Sequence, residues 1–333
     1  MENKKENYKV GFLVDGSFLP VRNGACYSIF NLMRSLYRSG MAEPNLIIRY
    51  RGWDDPKRYY RMPFKTIFVP AGEFSKNNGI LEYAVNLSGI DYLHIYNSEE
   101  ALEIVDRLRK INVKMILEAI NIDHVLYKKL NRNREELYRI KKLQTEAMEA
   151  ADYVLCRSEL DKSHIRLMGI DENKIGVYAG AINCSDFDCF PRHKKRYKIV
   201  FLGHMYYPPN ENSLKLIAKK ILPQLKKIDP RYTVSVVGIA PDKVKKEIFK
   251  TDIIFRGGVD DLNKELRKYD IAIAPIFEGS GTRLKILDYL ASGILTIATN
   301  FSIEGLRSSI KENLIVEDDV DNYAAKIDFV MRN

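Results

Sequence analysis

The residues from Glu278 to Gly293, EGSGTRLKILDYLASG, place a glycine-rich turn, hydroxyl groups and two cations ahead of an apolar helical pattern. A glycine-rich turn that opens a helix presents backbone N–H groups and the positive end of the helix dipole, which together suit a phosphate group. Arg283 and Lys285 would add positive charge, and Asp288 could accept hydrogen bonds from a sugar hydroxyl. The stretch therefore predicts a nucleotide site, provided that the surrounding chain forms a suitable fold.

A sheet is needed to position this stretch, and the second half of the chain supplies short β-branched runs that alternate with helical patterns. These runs are KIVFLG, YTVSVVGIAP, DIIFRGG, DIAIAPIF and LTIAT. The first half alternates in the same way, with the runs YKVGFLVDG, PNLIIRYR, KTIFVP, YLHIYN, VKMILEAI and DYVLCRS. Helical patterns lie between them, among them SIFNLMRSLYRSG and residues 135–151. Such alternation predicts α/β domains with parallel sheets, which bind ligands at the carboxyl ends of their strands.

Two domains are expected, because 333 residues exceed what a single core usually organises. The segment KIGVYAGAINCSDFDCFPRHKKRY has the Gly, Asn, Asp and Pro content of a linker. We predict one domain at residues 1–190 and a second at residues 191–333. No apolar run is long enough to cross a bilayer and the first ten residues lack a signal-peptide pattern, so a cytoplasmic or peripheral location is expected.

The four cysteines are too few and too unevenly placed for a disulfide framework. Cys184, Cys189 and His193 could be read as metal ligands, but their spacing matches no usual zinc motif and a fourth ligand is missing. Buried or loop thiols are the favoured interpretation, and no metal site is predicted.

The net charge of +9 is concentrated in two places. Residues 128–142 hold seven cations against two carboxylates, and RHKKRYK holds five cations in seven residues. A basic helical surface can lie on an anionic membrane or attract an anionic substrate, although a solvated face has the same composition. Since no nucleic-acid-binding motif accompanies the charge, a nucleic-acid partner is not expected.

A family pattern appears in the C-terminal half, where FLGHMYYPPNENSLKLIAKKILPQLKKIDPRYTVSVVGIAP is followed by FRGGVDDLNKELRKYDIAIAPIFEGSGTRLKILDYLASGILTIAT and SIEGL. A weaker collinear pattern runs from LPVRNGACYSIFNLMRSL to KIGVYAGAINCSDFD. These stretches resemble the retaining glycosyltransferases of the GT-B fold, in particular glycosyltransferase family 4.

The resemblance implies two Rossmann-like, doubly wound domains that face a central cleft. A UDP- or GDP-sugar would bind mainly to the C-terminal domain, and a glycan, lipid-linked or protein-linked acceptor to the N-terminal one. The family transfers the hexose with retention of configuration and needs neither a divalent metal nor another cofactor. The acidic run at residues 186–188 is then expected to serve as linker rather than as a metal site.

The resemblance also implies roles for single residues of the opening stretch. Glu278 would lie near hydroxyls of the donor sugar. Arg283 and Lys285 would neutralise the charge that develops on the departing nucleoside diphosphate, where stabilisation is most effective. Asp288 stands where relatives usually have Glu and would hold the ribose. The turn expected to wrap the diphosphate consists of Gly279, Ser280, Gly281 and Thr282.

Other predicted contacts come from glycine-containing loops. Gly203 and Met205, after the first C-terminal strand, would approach the donor from a second side. Gly258 and Val259 would place backbone against the base. In the N-terminal domain, Gly24 lies in the loop after the first strand and would let the chain approach a ligand closely.

The sequence departs from the family pattern in EAINIDHVLYKKL, where Ile120 stands in place of a histidine that relatives place beside the donor sugar. An isoleucine can neither donate a hydrogen bond nor share a proton. His124 lies four residues later and could compensate if the helix starts early, whereas a surface or helix-start role is the ordinary alternative. His94 and His204 also lie near the ends of predicted strands and are compatible with either a cleft or a packed position.

A second departure is the tail. Relatives commonly continue with a helix that returns to the N-terminal domain, whereas this chain ends at Asn333, so a long crossover extension is not expected. Two functions stay open: an active transferase, or a catalytically weak or silent GT-B protein that binds a nucleotide sugar or pairs with an active transferase. A nucleotide-sugar epimerase has less support, because no paired acid and base are apparent.

Overall fold

The computed structural model describes residues 8–16, 18–19, 24–52, 55–60, 62–74, 79–129, 133–179, 182–188, 196–279 and 281–333. The chain divides into two compact units, Met1–Ala179 and Gly180–Asn333. The division falls before the predicted boundary near residue 190, because Ile182 and Phe187 pack into an apolar cluster of the second unit.

The N-terminal unit contains a seven-stranded parallel sheet in the order β3-β2-β1-β4-β5-β6-β7. Its strands are β1 (Tyr8–Asp15), β2 (Ala42–Tyr50), β3 (Lys65–Pro70), β4 (Tyr92–Ile95), β5 (Lys114–Ala119), β6 (Tyr153–Cys156) and β7 (Ile175–Val177). Its helices are α1 (Gly24–Ser39), α2 (Ala71–Phe74), α3 (Ile80–Ser88), α4 (Ser98–Lys110), α5 (Asp123–Lys129), α6 (Arg134–Ala150) and α7 (Glu159–Leu167). Short 3-10 turns lie at Pro56–Tyr59 and Glu172–Lys174.

The central strand β1 is buried on both faces, which explains its continuous apolar sequence. Phe12 packs with Ile29 and Met33 of α1 on one face. Leu13 packs with Leu93 of β4 and further apolar side chains on the opposite face. Alternate side chains of β1 therefore pack into two separate cores, and the strand is followed at its carboxyl end by the loop before α1.

The C-terminal unit contains a six-stranded parallel sheet in the order β10-β9-β8-β11-β12-β13. Its strands are β8 (Lys198–Leu202), β9 (Thr233–Val237), β10 (Ile254–Gly257), β11 (Ile271–Ala274), β12 (Leu295–Ala298) and β13 (Ile315–Val316). Its helices are α8 (Pro208–Leu216), α9 (Leu222–Ile228), α10 (Asp242–Ile248), α11 (Leu262–Leu266), α12 (Leu284–Ala291), α13 (Ser308–Lys311) and α14 (Tyr323–Arg332). Short 3-10 turns lie at Cys184–Asp186 and Phe301–Ile303.

Helices α8 and α9 are joined by a π-helical turn, Ile217–Ile221. The backbone N–H of Leu222 donates to the carbonyl of Ile217, five residues earlier. The next residue, Pro223, has no N–H and its ring would clash with a carbonyl in a regular α-helix. The wider turn lets the helical path continue through a proline that would otherwise end it.

The predicted α/β fold is confirmed: both units are parallel sheets with helical crossovers, and each sheet reverses its strand order, between β1 and β4 and between β8 and β11. Ligands bind such sheets at the carboxyl ends of strands beside the reversal. Within the described ranges, no helix is both long enough and apolar enough to span a membrane.

Candidate functional site

The predicted site lies in the C-terminal unit, in the loop that joins β11 to α12. Two buried hydroxyl groups organise the start of this loop. The Ser302 hydroxyl donates to the Ala274 carbonyl over 2.6 Å, and the Thr299 hydroxyl donates to the Ile276 carbonyl. These bonds satisfy carbonyls that leave the sheet and hold the backbone that leads to Glu278.

Glycine is required in this loop for conformational and steric reasons. Gly279 has φ +127° and Gly281 has φ +73°, which L side chains rarely adopt. A Cβ on Gly279 would also lie 3.0 Å from the Tyr207 hydroxyl and 3.4 Å from Pro209 Cγ. The turn is therefore packed against the start of α8. Thr282 is half-buried, and Ser280 lies outside the described residues; contacts of this turn with a diphosphate stay a prediction.

Lys285 lies in the first turn of α12 and points toward the loop after β8. Its Nζ donates to Asn210 Oδ1 over 2.7 Å and lies 4.4 Å from the centre of the Phe201 ring. Burial lowers the pKa of Lys285 from 10.5 to about 7; the charge of Arg283 also lowers this pKa, and that of Asp288 raises it. Near neutral pH, Lys285 is poised to gain a proton when a negative group arrives.

Arg283 is the N-cap residue of α12, so both cations lie at the positive end of the helix dipole. Its guanidinium carbon lies 4.2 Å from the centre of the Phe301 ring, and its Nη1 lies 3.9 Å from Glu304 Oε2. Both cations thus lie at the N-terminus of one helix, close enough for the charge of Arg283 to lower the pKa of Lys285. The arrangement is electrostatically suited to a diphosphate.

Glu278 and Asp288 occupy different environments. The carboxylate of Glu278 accepts a hydrogen bond from Asn212 Nδ2 of α8 and lies at a partly exposed position. Asp288 is 4% exposed. The predicted contact of Glu278 with a sugar is thus compatible with its exposure. A ribose contact by Asp288 stays a prediction.

The loops after β8 and β9 pack directly on each other. A Cβ on Gly238, whose φ is +136°, would lie 1.9 Å from the carbonyl oxygen of Gly203. A Cβ on Gly203 would lie 3.0 Å from Asn210 Cγ. Both glycines are therefore explained by contacts within the protein, and a ligand is not needed to account for either.

The other predicted loop contacts have mixed surroundings. The Met205 side chain is fully buried in the core of this unit, and its N–H donates to the Ile239 carbonyl over 2.8 Å. Val259 is partly buried against the cluster that contains Tyr289, and a Cβ on Gly258 would lie 3.4 Å from Ile239 Cγ2. Donor contacts at these positions would therefore have to be made by backbone, and they stay predictions.

Asn210, Asn212 and Gly238 are the site residues that the sequence interpretation missed. The asparagines stand in YPPNENS, at the start of a helix, where Asn is ordinarily read as a capping or turn residue. Their partners are more than 60 residues away, so no local pattern could have identified them. The glycine in VVGIAP offered a signal, because it follows a strand at the predicted ligand-binding edge.

The predicted residues of the N-terminal unit belong to a separate group. Gly24 begins α1, and among the described residues no atom beyond its chain neighbours and its own helix backbone lies within 4 Å of the Cβ that it lacks. His124 is the second residue of α5 and is half-buried. Burial lowers the pKa of His124, as do the charges of Lys141, His164 and Lys128. The charges that lower this pKa belong to α6, α7 and its own helix, and the suggested compensation of His124 for Ile120 stays a prediction.

The remaining histidines are also located. His94 is buried, with its Nε2 2.9 Å from Glu118 Oε2, and the Glu118 Oε1 lies 2.7 Å from Arg157 Nε. His94 thus takes a packed position beside Glu118 and Arg157, rather than the cleft position that the sequence also allowed. His204 is half-buried beside the Tyr206 ring, with 5.1 Å between ring centres, and burial lowers its pKa.

No group of three or more His, Cys, Asp or Glu side chains suited to a metal ion is found in the part of the chain that the structure describes. Cys189 and His193 lie outside that part. Cys26, Cys156 and Cys184 are free thiols. In the acidic run, Asp188 is paired with Arg267 and contacts Asn263 of α11, so these residues belong to the second unit rather than to a linker.

Comparison with known sequences finds similarity in the second unit. Residues 196–333 match the sequence model of the family described as Glycosyl transferases group 1. Over 142 residues the chain is 27% identical to an uncharacterized 44.6 kDa protein in the cps region of Klebsiella pneumoniae. That match spans 40% of this chain and 36% of the relative.

Solved structures with the same fold cover nearly the whole chain. A glycosyltransferase from Rickettsia africae is 18% identical, with a TM-score of 0.70 over 98% of this chain and 89% of that one. Sucrose-phosphate synthase from Thermosynechococcus elongatus is 12% identical, with a TM-score of 0.74 over 98% and 90%. Anabaena HepE in complex with UDP-glucose is 11% identical, with a TM-score of 0.71 over 97% and 89%. The chain thus has the fold of the GT-B glycosyltransferases, and its second unit matches the glycosyl transferases group 1 family.

Proposed function

We propose that the protein is a retaining, metal-independent glycosyltransferase that moves a hexose from a UDP- or GDP-sugar to a glycan, lipid-linked or protein-linked acceptor. The observation that carries the proposal is the pair of cations, Arg283 and Lys285, at the N-terminus of α12 within the segment that matches the family. The complex of HepE with UDP-glucose supports a nucleotide sugar as the donor.

In the proposed reaction, Arg283 and Lys285 stabilise the negative charge that builds on the departing nucleoside diphosphate. The dipole of α12 adds to this stabilisation, and the partly buried position of Lys285 strengthens it relative to water. Glu278 orients the hexose through its hydroxyls. The acceptor hydroxyl attacks from the face that the diphosphate leaves, and the released diphosphate is the group that accepts its proton.

Release of the nucleoside diphosphate tests the proposal. The protein is incubated with UDP- and GDP-hexoses and candidate acceptors, and diphosphate release is followed for the wild type and Lys285→Ala. We expect the wild type to turn over slowly. Lys285→Ala should lower this turnover at least a hundredfold, because one preorganised stabilising group contributes about 10²–10³ to kcat. Lys243→Ala, which removes an exposed lysine of α10, is the matched control and should retain wild-type turnover.

A second candidate is a silent GT-B protein that binds a nucleotide sugar or serves as partner of an active transferase. The observation that favours it is Ile120, which cannot replace a polar group beside a sugar. Tight binding of UDP- or GDP-hexose without diphosphate release across acceptors would support this candidate. Turnover that Ile120→His leaves unchanged would argue against it.

We also propose that the protein works at an anionic membrane surface, from the cytoplasmic side. The support is a set of exposed cations on α5 and α6, namely Lys128, Arg134, Arg139, Lys141 and Lys142, of which Lys142 is paired with Glu146. Each such cation adds about 1 kcal/mol near an anionic surface. Flotation with vesicles containing phosphatidylglycerol should bring the wild type to the lipid fraction at low salt.

A matched control tests whether flotation depends on these cations of α5 and α6 or on the overall charge of the protein. Replacement of Lys141 and Lys142 by Glu should abolish flotation, whereas the same replacement of Lys243 and Lys246, both exposed on α10, should have a smaller effect. Equal recovery of the wild type with neutral and anionic vesicles would remove the membrane proposal.

A further inference from the structure

Helix α8 carries two asparagines that contact two different members of the candidate site. Asn210 Oδ1 accepts from Lys285 Nζ, and Asn212 Nδ2 donates to the carboxylate of Glu278. The two asparagines are separated by one residue, and their partners lie at the two ends of the loop between β11 and α12. The proposed transfer reaction assigns no role to either asparagine.

The Asn210 amide is held in one orientation. Its side chain is 7% exposed, and its Nδ2 donates to the carbonyl of His204 over 3.0 Å. A carbonyl only accepts and an ammonium only donates, so the amide oxygen must face Lys285. Gly203 leaves the room for this amide, since a Cβ there would lie 3.0 Å from Asn210 Cγ.

Asn212 differs from Asn210 in its surroundings. It is exposed, and its amide donates to Glu278, which itself is partly exposed. An exposed amide contributes little to folding, whereas it restricts the rotamers of the carboxylate that it contacts. The contact therefore affects where the Glu278 oxygens point more than whether the unit folds.

We infer that Asn210 and Asn212 are positioning residues with separate tasks: Asn210 holds the Lys285 ammonium for the diphosphate, and Asn212 holds the Glu278 carboxylate for the hexose. The identity of both ligands rests on the proposed function. One short helix thereby sets the geometry of phosphate recognition and of sugar recognition independently.

The task of Asn210 has a signature in pH. The groups that face Lys285 are Arg283 and Asp288 on its own loop and helix, with the Phe201 ring and Asn210 opposite. Removal of the amide oxygen in Asn210→Ala leaves the ammonium without this acceptor, which disfavours the charged form. Asn210→Asp supplies a carboxylate, which favours it. The midpoint of Lys285 ionisation should move down in the first variant and up in the second.

The task of Asn212 has a signature in ligand choice. Asn212→Ala should weaken UDP-hexose binding about tenfold and leave UDP binding unchanged, because the lost contact concerns only the sugar end of the loop. A merely structural role would weaken both ligands together. Asn313→Ala, at an exposed asparagine of the same unit, is the matched control and should change neither.

The experiment measures UDP, GDP and UDP-hexose binding by calorimetry for the full chain and these variants, together with Lys285 ionisation by NMR of its labelled Cε in the free protein. Opposite shifts of the midpoint by about one pH unit in the two Asn210 variants, with the selective loss in Asn212→Ala, would support the inference. An unmoved midpoint overturns the assignment of Asn210, and equal loss of UDP and UDP-hexose overturns that of Asn212. A wild type that binds no nucleotide overturns the proposed function and the Asn212 assignment, while the NMR midpoint still decides Asn210.

Discussion

Affinity for UDP should fall steeply with pH above neutrality, because Lys285 loses its proton in the free protein. Burial lowers its pKa from 10.5 to about 7, so the lysine is half charged at pH 7. At pH 9, two units above this pKa, about one molecule in a hundred carries the charge. A bound diphosphate favours the charged form, so binding takes up a proton.

The expected magnitude follows from these fractions. If the diphosphate restores the pKa toward its ordinary value, UDP affinity falls about fiftyfold between pH 7 and pH 9, or ~2.3 kcal/mol. The phosphate groups of UDP are already ionised in this window. Burial lowers the pKa of His204, so this imidazole gains no charge as the pH rises from 7 to 9. The slope is therefore attributable to Lys285.

Calorimetry in buffers of different ionisation enthalpy measures both the affinity and the proton uptake. Lys285→Arg keeps its charge throughout the window and should bind UDP with no slope. Lys285→Met should bind weakly at every pH. Wild-type affinity that changes less than threefold between pH 7 and pH 9, or an equal slope in Lys285→Met, would refute the reasoning.

Three further outcomes follow from close contacts and buried charge. Gly238→Ala should lower the thermal midpoint severely, because its Cβ would lie 1.9 Å from the Gly203 carbonyl oxygen. Gly257→Ala, at φ +72° and with open space around the added Cβ, should cost only about 1 kcal/mol of unfolding free energy. Equal losses of stability in calorimetric unfolding of the two variants would contradict this reasoning. Glu118→Gln should cost about 3–5 kcal/mol in chemical denaturation, because it leaves Arg157 buried without its ion pair, and a loss below about 1 kcal/mol would contradict the pairing. Burial raises the pKa of the Glu118 carboxyl, but its hydrogen bond with His94 and the charge of Arg157 lower it by more, so the pKa lies below the ordinary value of 4.5. Glu118 therefore stabilises the folded state fully above pH 4.5, and this stabilisation is lost as the pH falls through the folded-state pKa. An acid-unfolding curve that Glu118→Gln leaves unchanged would show that another group controls the transition.

The sheets were predictable because their strands are buried on both faces and so read as continuous apolar runs. The strand at Ile271–Ala274 is an example: all four residues are buried, and the glycine-rich turn follows within a few residues. Periodicity and turn chemistry alone were enough to place the candidate loop at the carboxyl edge of a sheet. The helix predicted at residues 135–151 is likewise observed at Arg134–Ala150, capped by Asn133.

The interior of the site was not predictable, because it depends on residues that are distant in sequence. Gly203 suggested ligand approach, whereas its neighbour in space is Asn210 and the chain that crosses it is at Gly238. Likewise, Glu118 lies in β5 and Arg157 directly follows β6, and their pairing depends on the strand order, which local periodicity does not encode. Long-range contacts of this kind require the folded arrangement.

The π-helical turn at Ile217–Ile221 separates two functions along one helical path. The segment before it, α8, bears the asparagines that reach the site, while Leu222 and Leu225 after it are buried in the core. An α-helix turns 100° per residue, so a continuous helix would couple the direction of both faces. The wider turn changes that phase before regular α-helix resumes at Leu222, with Pro223 as the second residue of α9. The turn therefore sets the angle between the face of α8 that carries the asparagines and the face of α9 that is buried in the core.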